Sequence, residues 1–104
     1  MLIIIAEIHT HAGAEHRQAV LDAFKKVTPT VLAEDGCHGY EALIDHLPAI
    51  EMQATDKNTI VMLEKWQSTA HLEAHMQTAH MQQHFEATKD HVADVKIRIL
   101  ESGI

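Results

Sequence analysis

The chain has 104 residues, 46% of them apolar and 22% charged, with a formal net charge of −7. That length fits one domain, residues 1–104, of globular composition, and the acidic balance lacks the surplus of Lys and Arg that nucleic acid requires. The single Cys37 excludes an internal disulfide and a thiolate cluster, and no stretch is long enough to span a membrane.

The run "LIIIAEIH" (2–9) is β-branched and apolar on both alternating sets, which suits a strand buried on both faces. It is too short for a signal-peptide core and lacks the basic flank, so the expected setting is cytoplasmic. Gly13 carries a turn, after which Val20, Phe24, Val27 and Val31 recur at helical spacing through residue 34. Pro29 predicts a kink or restart near Thr28, and Gly36 a helix stop. Residues 37–45 alternate as a strand, with Tyr40, Ala42 and Ile44 on one side. Residues 46–58 are ambiguous: a short extra strand fits, although Pro48 argues for an edge or a loop.

"TIVMLEKW" (59–66) predicts a strand with Ile60, Met62, Glu64 and Trp66 on one face. Ser68 is a good N-cap for a second helix running to about Thr88, and residues 92–100 close the chain as a strand. The order strand, helix, strand, strand, helix, strand reads as an α+β, ferredoxin-like split βαβ unit: an antiparallel sheet with helices on one face. Several strands are apolar on both faces, so the bare side needs cover, most simply a second copy in a symmetric dimer.

Four of the ten histidines fall between residues 71 and 84. His71 and His75 are four apart, as are His80 and His84, the spacing that puts two imidazoles on one helix face. On an uninterrupted helix the two pairs point to nearly opposite sides, so one four-histidine metal cage is geometrically poor; a break near Thr78 would change that. Most of these rings read as members of a solvated face. His75 borders the Leu72, Met76 and Ala79 stripe, where an imidazole serves equally as a structural polar group or as a base. His9 and His11 form an H-x-H pair that would need a third ligand such as His38 or Asp45. His16, His46 and His91 read as surface residues. The methionines at 52, 62, 76 and 81 read as packing rather than as a copper site. Trp66 is either a large core residue or one wall of an aromatic pocket shared with Tyr40. No dinucleotide, P-loop or nucleophile-elbow motif is present.

The segment "EKWQSTAHLEAHMQTAH", with Trp66, Leu72, His75 and His80 in order, resembles the antibiotic biosynthesis monooxygenase family. "GCHGYEAL", "AEIHTHAGAEHRQAVLDAF" and "IRIL" are similar to it too, especially to its bacterial quinol monooxygenase branch, which acts on menadiol-like naphthoquinols. The resemblance implies a homodimeric α+β barrel with a pocket between sheet and helices. It also implies a reaction of an aromatic quinol with molecular oxygen that uses no flavin, haem or metal. It assigns His75 as the base, His80 as its assistant, and Trp66, Tyr40, Met62, Glu64 and Leu72 as substrate-binding residues. Ala79 stands where the branch often has proline, which predicts a straighter helix around His80. In a haem-degrading subgroup of the same fold, the aligned positions here are Ile8, His75 and the His84–Phe85 region, and only His84 offers a matching group. Two readings from other classes are a dimeric quinone-binding or stress-response module and a histidine-rich metal-binding protein.

Overall fold

In the computed structural model, which describes residues 1–104, the strand β1 (Leu2–Thr10) lies inside the sheet. It pairs antiparallel with β3 (Thr59–Trp66) on one side and β4 (Val92–Leu100) on the other. The strand β2 (Cys37–Leu43) pairs with the far edge of β3, giving the order β2-β3-β1-β4. Register sets the buried face: Ile4, Ala6 and Ile8 stand opposite Glu64, Met62 and Ile60, and all six are buried. Val20, Phe24, Val27 and Val31 of α1 (Ala14–Leu32) complete that core, as the helical spacing predicts. The α+β ferredoxin-like architecture expected from the element order is therefore the one observed.

Three local expectations change. The helix α1 does not restart at Thr28, because Pro29 sits in its last turn and removes only one helical N–H. The Thr28 hydroxyl donates to the Phe24 carbonyl at 2.6 Å in the same turn. The strand β2 ends at Leu43 rather than at 45, and residues 44–58 contain no strand. Side chains organise that insert instead, with Asp45 accepting from the Asp56 N–H at 2.7 Å and Gln53 donating to the His46 carbonyl at 2.8 Å.

The third change bears on the site. The second helix divides into α2 (Thr69–Met76) and α3 (Ala79–Thr88). Thr78, in an extended conformation, donates its hydroxyl to the His75 carbonyl at 2.8 Å and accepts the Met81 N–H at 3.3 Å. One side chain thus closes the first helix and caps the second, which breaks the helix without proline. Ser68 caps α2 as expected, accepting from the His71 N–H.

Gly36 ends the turn after α1 with φ +80°. A Cβ there would collide with the His71 ring, so both the backbone conformation and the close approach require glycine. No helix is long and apolar enough to cross a membrane. Two apolar surfaces remain open. On the bare face of the sheet, Ile3, Ile5, Val61 and Leu63 are half-buried. On the helix side, Val95, Ile97 and Ile99 of the edge strand β4 are 44–57% exposed.

Candidate active site: a histidine-walled cavity

Between the sheet and α2–α3 lies a cavity of about 110 Å³. Its wall is mostly apolar, including Ala6, Ile8, Phe24, Met62, Met81 and Phe85, with Tyr40, Glu64, His75 and His84 as its prominent polar groups. An apolar slot with a few convergent polar groups is the usual form of a small-molecule site. The edge-strand residues Val95 and Ile97 also line it, so the cavity reaches the part of the sheet that no helix covers.

His75 is 1% exposed, deeper than its place beside the helix stripe suggests. Its ring lies 4.5 Å from that of Trp66 and edge-on to Tyr40 at 5.7 Å. Its Nδ1 is 2.7 Å from Oε2 of Glu34, so Nε2 is the ring nitrogen that this carboxylate does not engage. An ionised Glu34 can only accept, so beside it a neutral His75 would carry its proton on Nδ1 and a lone pair on Nε2. A ring in that tautomer can accept a proton at Nε2.

Glu34 comes from the turn between α1 and β2, where its N–H donates to the Val31 carbonyl and its carbonyl accepts from the Cys37 N–H. The same Oε2 is 2.9 Å from Nε2 of His80, at the start of α3. The break at Thr78 brings His75 and His80 to one carboxylate, which the two pair spacings on a straight helix do not allow. Glu34, His75 and His80 present donor atoms within 4.8 Å of one another, so they are the residues whose spacing admits a metal ion. Two of those contacts are already hydrogen bonds of ordinary length.

The other expected residues divide. Tyr40, Met62 and Glu64 line the cavity. Trp66 is fully buried and lies outside the lining, beside His75, with its indole N–H donating to Glu64 Oε1 at 3.0 Å. Leu72 packs against the core and is not part of the wall. His80 lines an adjoining surface hollow with Lys26, Thr30 and Gln83. Burial, with the charges of Glu64 and Glu34, pushes the Tyr40 phenol far up, so it stays a proton donor. Burial also raises Glu64, against the Trp66 hydrogen bond and the nearby His75, which favour its charged form.

His84 corrects the solvated-face reading. It is 6% exposed, its ring lies 4.4 Å from Phe24, and its Nδ1 has no hydrogen-bond partner. Burial lowers its pKa, opposed by the Ala23 carbonyl, so the neutral ring is favoured. Once α3 starts at Ala79, Met81, His84, Phe85 and Thr88 form an i, i+3, i+4, i+7 stripe, the signal that identifies His84 as inward-facing. Glu34 has no comparable signal. His9 meets the Thr59 hydroxyl at 3.0 Å, and His16 faces His91 with Nδ1 atoms 3.0 Å apart, so neither His16 nor His91 is a free surface ring.

The fold and the cavity define a ferredoxin-like α+β domain with an apolar cavity walled by a buried histidine. Residues 1–87 match the family model for antibiotic biosynthesis monooxygenase, and the chain belongs to that family. It is 53% identical over 104 residues, the full length of both chains, to the Escherichia coli K12 protein named "Probable quinol monooxygenase YgiN". The protein of the same name from Shigella flexneri matches equally. Among solved structures, one from Pseudomonas aeruginosa superposes with a TM-score of 0.80 at 27% identity, covering 97% of this chain and 92% of that one. One from Nitrosomonas europaea gives 0.81 at 19% identity over the whole of both chains, a likeness of fold alone.

Proposed function

We propose that this protein is an oxidoreductase, a quinol monooxygenase that takes reduced naphthoquinones such as menadiol, with molecular oxygen as co-substrate. The observation that carries the reading is the buried His75 at the wall of an apolar cavity, its Nδ1 held by Glu34 and its Nε2 left to the ligand. The full-length likeness to relatives named as quinol monooxygenases supports the substrate class. A flat aromatic diol suits a slot formed by Phe24, Tyr40, Met62 and Phe85.

In this reading His75 Nε2 takes the quinol proton. The quinolate that results is an electron-rich donor to oxygen, and the apolar walls keep bulk water from reprotonating it. The neutral Tyr40 phenol orients the ring by donating a hydrogen bond to a quinol oxygen. Glu64 and Met62 bound the slot, while Trp66 and Leu72 act from behind it: Trp66 backs the His75 ring and Leu72 packs α2 onto the core. No resident cofactor enters this reading.

The protein acts as a homodimer, because the bare sheet face and the exposed row Val95, Ile97 and Ile99 are apolar surfaces that a second copy would cover. Sedimentation at micromolar concentration is expected to give twice the chain mass, and a monomer there removes this part. The setting is the cytoplasm, where Cys37 stays a free thiol. The enzymatic reading is tested by oxygen uptake from metal-stripped, flavin-free protein given chemically reduced menadione, with spontaneous oxidation subtracted. Protein-dependent uptake that saturates with quinol is expected. Background uptake together with tight quinone binding would make the protein a binding module instead.

A further inference from the structure

His75 and His80, on separate helices, converge on a single oxygen of Glu34, at 2.7 and 2.9 Å. Exposure falls along this series: the His80 side chain is 25% exposed, Glu34 13% and His75 1%. A buried imidazole is thus joined through one carboxylate to an imidazole that water reaches. We infer that Glu34 is the positioning residue for His75, and that His80 tunes it by competing for the same carboxylate oxygen. The inference rests on the reading of His75 as the quinol base and adds to it what sets that base.

Proton transfer breaks a quinol O–H bond, forms an N–H bond at His75 Nε2 and leaves the electron pair on the quinolate oxygen. The Nδ1 proton stays on His75, and Glu34 stays a carboxylate. Glu34 therefore fixes the ring's tautomer and stabilises the imidazolium that forms, as a buried carboxylate does for other catalytic histidines. A protonated His80 brings a positive charge to that same oxygen and reduces this stabilisation. Other groups that act on Glu34 or meet its field are Tyr40 and Cys37 from β2, Glu64 from β3, and neighbouring Asp35, which pairs with His71 of α2 at 3.4 Å. None of these is hydrogen-bonded to the shared oxygen.

The test is the proton titration of the His75 ring, followed by NMR in the substrate-free full chain, in wild type, Glu34→Gln and His80→Gln. Glutamine at 34 keeps an acceptor for Nδ1–H but removes the charge. His75 is then expected to titrate at lower pH than in wild type. Glutamine at 80 removes the competing positive charge, and His75 should titrate at higher pH, by a smaller step. In turnover, Glu34→Gln should lower kcat at least ~10-fold with KM within about twofold, and move the acid limb of the rate profile the same way as the titration. Opposite shifts are a signature that a merely structural role for Glu34 does not produce. Equal midpoints in all three proteins, or shifts of one sign, would overturn the inference. Should Glu34→Gln fail to fold, His80→Gln carries the test: a His75 midpoint that rises there is expected, and one that stays put or falls overturns the inference. The titration needs no substrate, so opposite shifts in a protein inert toward quinols would sink the quinol reading and leave the Glu34 role standing.

Discussion

Two histidine clusters lie on this domain, and they differ in what their second nitrogen meets. At the α2–α3 break, His75 and His80 both bond a carboxylate that is itself mostly buried, and His75 borders an apolar cavity. At the far end of β1, His16 and His91 meet only each other through Nδ1, with His11 edge-on at 5.7 Å and the exposed Glu15 nearby. Spacing and residue type alone do not separate them. A base needs a fixed tautomer, stabilisation of its charged form and a nitrogen beside an apolar slot, and a buried carboxylate partner and an apolar cavity occur together only at the first cluster.

Substitutions can break that contrast. The largest effect is expected at His75: replacement by Ala should reduce quinol turnover by about 10²-fold or more, measured as oxygen uptake. Replacing Trp66 with Ala removes the ring behind His75 and opens a core void. It should destabilise the fold by about 3–5 kcal/mol in denaturant unfolding, with activity falling as well. The His16→Ala and His91→Ala variants should keep turnover within about twofold of wild type, since neither ring lines the cavity. A loss as large as that at His75 would erase the distinction between the clusters.

Two pH experiments sharpen it. Burial raises the Glu64 pKa in the folded state, so the folded protein holds that proton more tightly than the unfolded chain, and stability falls as pH rises through the carboxyl range. Glu64→Gln keeps an acceptor for the Trp66 N–H and should raise Tm by a few degrees at pH 7, a gain that shrinks under acid. His84 has the opposite sense. Its pKa is lowered by burial, so its contribution is complete above the ordinary imidazole value of 6.5 and is lost as pH falls below it. His84→Phe should flatten that part of the thermal-stability profile, a smaller effect than the others.

Much of the fold is legible in the sequence because its signals are local and repeated. The β-branched run of β1, the alternation through Ile60, Met62, Glu64 and Trp66, and the valine spacing of α1 each point to a single element. The site is less legible because it depends on one break and one distant partner. The sequence admits a break near Thr78, but only the fold reveals that its hydroxyl caps α3 and ties off α2 at the His75 carbonyl. Glu34 lies 41 residues before His75, in a turn where an acidic residue is unremarkable, and no periodicity connects the two. Trp66 shows the reverse: its strand position correctly predicts an inward indole, yet the ring is spent on packing His75 rather than on the cavity wall.

The most direct test compares wild type with His75→Gln in two assays on the same samples, quinol-dependent oxygen uptake and equilibrium binding of the oxidised quinone. If His75 Nε2 is the base, turnover should collapse by about 10²-fold while quinone affinity stays within about threefold. Undiminished turnover in His75→Gln would contradict the account and remove this histidine from the chemistry.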